Sequence, residues 1–147
     1  MIRKLPIAIS VLSLLTGTLV YLLFRSGNLT VFSWLRIFHL QNTMAFMRQL
    51  VPPNKQLPDW FLYAMPDGLW LFSYVTFLLC MWNKEINISN IYWIAAIPSV
   101  AIGSELGQLF KLVPGTFDIQ DLFMYAAGAV LPFILLRNDL TFKLRRI

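Results

Sequence analysis

Apolar residues run through this chain in long blocks, broken by short clusters of charge and proline. A helix needs about 20 residues to cross roughly 30 Å of hydrocarbon, and four blocks read as such spans, at about residues 6–24, 59–82, 91–113 and 121–136. The first, PIAISVLSLLTGTLVYLLF, is longer than the apolar part of a usual secretory leader, and no A-x-A-like cleavage pattern follows it, so it reads as an anchored span. Between the first two spans the pattern changes. Arg36, His39, Gln41, Asn42 and Arg48 interrupt the apolar run, while Ser33, Arg36, His39 and Thr43 fall near one helical stripe with Phe and Leu around them. That is the pattern of a helix lying in the membrane interface, at about residues 29–50, and VPPNKQLP then breaks it before the second span. The predicted fold is an all-α membrane protein of one domain: a four-transmembrane-helix bundle with an interfacial helix between its first and second spans.

Composition agrees with the pattern. The 147 residues are 58% hydrophobic and 13% charged, against about 25% charged in a soluble domain, and mean hydropathy is +0.65. The net charge of +5 raises the question of nucleic acid, yet the basic residues stand mostly at the ends of apolar runs, where they orient spans rather than bind phosphates. The single cysteine, Cys80, excludes an internal disulfide framework and a thiolate metal cluster. No zinc spacing or phosphate-binding glycine loop is present, so no metal, cofactor or nucleic acid is implied. Arg3 and Lys4 precede the first span, and Arg137, Lys143, Arg145 and Arg146 follow the last. Positive residues gather on the cytoplasmic side, so both termini are expected inside, in a bacterial cytoplasmic membrane.

Charge inside the spans marks the candidate chemistry. Asp67 and Glu105 each lie about eight residues, or roughly 12 Å, below the outer ends of their helices. Tyr63, Asp67, Trp70 and Tyr74 share one stripe of the second span, and Glu105 and Gln108 share one of the third. Asp121 and Tyr125 continue the polar rim on the fourth span, and Asp118 stands in the turn before it. Lys111, Lys55, Arg48 and Arg36 are the cations expected near that outer mouth. Ser99, Gly103 and Gly107 form a ridge of small residues on the other face of the third span, which predicts a close helix contact there and makes that helix central. The candidate ligand-binding set is therefore Asp67, Trp70, Tyr74, Glu105, Gln108, Lys111, Asp118, Asp121 and Tyr125.

Glu105-x-x-Gln108, then PGTFDIQD, then Gly128 within a fourth span resembles the VanZ-like membrane proteins, whose pattern there is roughly E-x-x-Q, P-G-R-x-x-D-x-x-D and N-x-x-G. Glu105, Gln108, Pro114, Gly115, Asp118, Asp121 and Gly128 match that pattern. Thr116 stands where the family usually has arginine, and Tyr125 where it has asparagine. In the second span the family's D-K-x-x-H is matched at Asp67, with Gly68 and Leu71 in place of the lysine and histidine. The resemblance covers about half the chain. It implies an inner-membrane protein of the cell envelope connected with antibiotic resistance, since the family's namesake is associated with lowered sensitivity to teicoplanin. The expected partners are the lipid bilayer and a lipid-linked cell-wall precursor, a glycopeptide-type antibiotic or another membrane protein. Two alternatives stay open: an enzyme acting on a lipid-linked substrate at the outer leaflet through Glu105 and Asp67, and a structural subunit of a larger membrane complex.

Overall fold

Serines and a glycine, not leucines, make the inner face of the first helix. The computed structural model describes residues 4–25, 33–34, 37–51 and 57–143. In α1 (Lys4–Phe24) Ser10, Ser13 and Gly17 are buried, while Leu5, Val11, Leu12, Leu15 and Leu19 are exposed. The buried stripe faces α3 (Asp59–Met81). Ser10 donates to the carbonyl of Ser73 at 2.9 Å, Ser13 to that of Leu69 at 3.0 Å, and the Trp70 indole to Thr18 Oγ1 at 3.1 Å. A helix so arranged keeps its polar groups for its partner and gives its leucines to the surroundings.

Between them comes α2 (Gln41–Gln49), shorter than the predicted interfacial helix over 29–50. The reason is local: His39 adopts φ 56°, which an α-helix interior does not admit, so the chain turns there before α2 begins. The stripe expected from Ser33 to Thr43 is therefore broken, and Arg36 lies outside the described residues. Arg48 holds α2 to the end of α1, its guanidinium donating to the carbonyls of Leu22 at 2.7 Å and Arg25 at 2.6 Å. Those are carbonyls that a helix C-terminus leaves without intrahelical donors.

The second span, not the third, is central. α3 packs along α1 on one side and α5 (Ile119–Leu135) on the other. Gly68 and Gly128 make the second contact possible: a Cβ on Gly128 would stand 2.4 Å from the Gly68 carbonyl oxygen. The ridge predicted on α4 (Ile88–Leu109) does not form a helix contact. A Cβ on Gly103 would meet nothing within 4 Å, and one on Gly107 would meet Val113 of the following loop. α4 starts earlier and ends earlier than the predicted 91–113, because Asn87 caps it through a reciprocal pair with Asn90 and a turn at Lys111 stops it.

The helices alternate in direction. At one end the N-terminal part of α1, the α3–α4 turn and the chain beyond α5 come together, with Ile7, Cys80, Asn83, Lys84 and Asp139 around one hollow. Here β1 (Glu85–Asn87) pairs in parallel with β2 (Thr141–Lys143), an element the apolar pattern does not predict. Lys84 pairs with Asp139, and Lys143 with Glu85 at 2.8 Å. A core of Val75, Leu79, Ile86, Ile94 and Leu136 fills this end. Asp59, Glu105, Asp118 and Asp121, with Asp67 a little deeper, lie toward the other.

Among the described residues two helices are long and apolar enough to cross a membrane, Leu5–Phe24 and Asp59–Met81; Ile119–Leu135 is apolar and shorter. α4, of 22 residues, carries Asn90, Ser99, Ser104, Glu105 and Gln108.

Candidate functional site

The α4–α5 loop is built to bring an aspartate over a glutamate. α4 ends in a Schellman turn: the Lys111 N–H bonds the Gln108 carbonyl at 3.0 Å, and the Leu112 N–H bonds that of Gly107 at 2.8 Å. Lys111 takes the left-handed position at φ 57°, where glycine is usual. Four residues on, Gly115 sits at φ 138°, and a Cβ there would fall 2.7 Å from the Gln108 side-chain nitrogen. Gln108 thus lies flat against Gly115. This contact joins the E-x-x-Q stretch to the Pro-Gly pair in space.

The loop then delivers Asp118. Its N–H donates to Glu105 Oε2 at 3.3 Å, and its own carboxylate caps α5 by accepting from the Gln120 N–H at 2.8 Å. Asp121 stands in the first turn of α5, where the helix dipole favours a negative charge. One turn below, the Tyr125 hydroxyl donates to Asp67 Oδ2 at 3.5 Å. Glu105 is 5% exposed. Asp67 lies within electrostatic range of Asp121 and Glu105, so acids from three helices influence one another at this end.

One cation joins them that the sequence reading missed. Arg25, just past the end of α1, lies within electrostatic range of Asp67 and Asp121. Its guanidinium stacks over Tyr63 at 4.8 Å and donates to the Tyr63 carbonyl at 3.4 Å. Among the described residues the ion pairs are Lys84–Asp139 and Lys143–Glu85, and Arg25 takes part in neither. In the sequence it reads only as the boundary of an apolar run. A cation at the end of an apolar run is ordinary, so the sequence carries no signal that singles it out.

Other predicted members fall elsewhere. Trp70 faces α1, its ring 5.1 Å from that of Tyr21. Tyr74 donates to the Trp93 carbonyl at 2.5 Å, nearer the other end of α3. Lys111 is exposed and serves the turn, and Arg48 serves the end of α1. Lys55 lies outside the described residues. Among the described residues no three His, Cys, Asp or Glu side chains are placed to hold a metal ion together.

What results is a mouth with Asp67, Glu105, Asp118 and Asp121 on one side of the charge balance and Arg25 on the other. Such a site can bind a cationic or zwitterionic group by charge and hydrogen bonding. Compared with family models, with curated proteins and with solved structures, the chain matches none.

Proposed function

We propose that this chain is a four-span, VanZ-like protein of the bacterial inner membrane, with both termini inside. Its outward-facing acidic mouth binds the head group of an envelope lipid or of a lipid-linked precursor. The observation that carries the reading is the buried Glu105 carboxylate, held under the Asp118 N–H with Asp67, Tyr125 and Asp121 around it. A buried acid at membrane depth is expensive and marks function more often than packing.

The bilayer part rests on the inverted first helix and on aromatic side chains at both ends. Trp60 and Tyr63 lie at the acidic end, and Trp82, Tyr92 and Trp93 at the other. Along α3, Trp60 and Trp82 are separated by about 33 Å at 1.5 Å per residue, close to the roughly 30 Å of hydrocarbon between two interfacial belts. The orientation rests on the basic residues of the termini, and the pairing of β1 with β2 keeps the C-terminal segment at the end where α1 begins.

A Cys80→Ser background tests this reading. A cysteine at Thr116 is expected to react with a membrane-impermeant thiol reagent in intact cells, and cysteines at the N-terminus or after Arg146 are not. Protection at position 116 removes the outward-facing site. Asp67→Asn, which keeps size and hydrogen bonding, is expected to abolish any shift in teicoplanin sensitivity that the wild type confers on its host. An unchanged shift counts against the acidic mouth as the working site.

A further inference from the structure

We infer that residues 137–143 form a charge-held strap across the end of the bundle where α1 begins, and that an anionic membrane surface opens it. The inference rests on the bilayer reading above, but not on the acidic mouth or on the side the termini face.

The strap continues α5. Leu136 is buried, Arg137 is exposed, and the chain turns at Asp139, whose N–H bonds the Leu136 carbonyl at 2.9 Å. Leu140 then packs against the core, and β2 pairs with β1 so that Phe142 stands opposite Ile86. Those two side chains border a hollow of about 330 Å³ that Val75, Ile94, Pro98 and Phe133 also line. Lifting the strap takes away Leu140 and Phe142, lays Ile86 open (now 3% exposed) and opens the hollow.

Much of what holds the strap down is charge. The Thr141 N–H bonds the Lys84 carbonyl at 3.0 Å, and β1 and β2 pair over three residues each. A two-stranded ladder of that length is marginal by itself. The side-chain ties are two ion pairs, Lys84 with Asp139 and Lys143 with Glu85 at 2.8 Å. Lys84 is nearly buried, but Asp139, Glu85 and Lys143 are each about half-exposed. Pairs so open to water are weak and are screened by salt.

Charge and depth select the competitor. From Arg137 onward the charged side chains are Arg137, Lys143, Arg145 and Arg146 against Asp139, a net +3. Trp82, Tyr92 and Trp93 lie at the same end, so the strap stands at the level of lipid head groups. An anionic lipid surface competes with Glu85 for Lys143 and attracts the exposed Arg137. A zwitterionic surface offers no such net attraction. Lys84 is too buried to follow, so the strap peels from its Lys143 end.

The test is hydrogen exchange, read by mass spectrometry, on the protein in nanodiscs of phosphatidylcholine alone or of equal phosphatidylcholine and phosphatidylglycerol. Amides of residues 141–143 are expected to exchange about fivefold faster in the anionic discs, the effect of one basic residue's attraction to such a surface, with α3 unchanged. In detergent, raising salt to about 1 M, where the Debye length is about 3 Å, is expected to speed the same amides. Glu85→Gln releases Lys143 and is expected to loosen the strap in neutral discs as well. Lys143→Gln is expected to loosen it in both discs and so to shrink the difference between them. Equal exchange of the wild type in the two discs, slower exchange in the anionic ones, or an undiminished difference in Lys143→Gln overturns the inference. Both variants change half-exposed side chains, and should either fail to fold, the wild-type comparison decides alone. A chain that does not enter the discs at all loses the bilayer reading as well, whereas equal exchange within them loses the strap only.

Discussion

The Asp118 N–H donates to the buried Glu105 carboxylate across the α4–α5 loop, at 3.3 Å. One bond ties the lower wall of the mouth to its rim, and it uses a backbone donor, so it survives any change of the Asp118 side chain. Glu105→Gln retains an acceptor of the same reach and is expected to keep the fold. Glu105→Leu leaves the N–H without its partner and should lower stability by about 1–3 kcal/mol. Thermal unfolding of the two variants in detergent checks this, and equal melting temperatures would show that the bond contributes nothing.

The glycines of the chain make opposite predictions by position. A methyl at Gly128 would be driven against the Gly68 carbonyl, backbone that has no flexible end to move aside. Gly128→Ala should therefore destabilise by about 1–3 kcal/mol. At Gly103 the space is open, and Gly103→Ala should stabilise by up to about 1 kcal/mol through helix propensity alone. The comparison is made by melting both variants in one detergent; the same sign for both would refute the α3–α5 seam.

These two glycines also mark how far sequence could reach. A ridge such as Ser99, Gly103 and Gly107 has the spacing of a helix contact whether it meets a partner or lipid, because spacing carries no information about the partner. The decisive pair, Gly68 and Gly128, lies on two different helices and shows no spacing at all. The acids were legible because charge within an apolar run is rare, and the depths of Asp67 and Glu105 could be counted from separate ends. Arg25 was not, since a cation at the end of a span is ordinary. β1 and β2, at three residues each, are too short for any period to emerge.

Lys111 holds a left-handed backbone position that glycine adopts without steric penalty. Its side chain is exposed, so little packing is lost with it. Lys111→Gly should raise stability by about 1 kcal/mol, the penalty of that conformation for a residue with a Cβ. A decrease would mean that the lysine makes a contribution at the mouth outweighing its backbone strain, and would return it to the binding set.

The pair of Lys84 with Asp139 is lopsided: the lysine side chain is 11% exposed and the aspartate 48%. The two possible deletions are therefore not equivalent. Lys84→Met removes the buried charge and leaves its stem, while Asp139 stays in water and needs no partner. Asp139→Ala leaves an ammonium group in the protein with its counter-charge gone, the more costly of the two. Because Asp139 is half-exposed, water will screen part of that loss, and about 1–2 kcal/mol is expected rather than the 3–5 kcal/mol of a fully buried pair. Lys84→Met should lie within about 1 kcal/mol of the wild type, in either direction. Since the same residues flank the pairing of β1 with β2, loss of Asp139 should also loosen the end of the chain. Limited proteolysis should then cut Asp139→Ala beyond Leu136 faster than it cuts Lys84→Met, and equal cleavage of the two would show that the lysine draws no support from the aspartate.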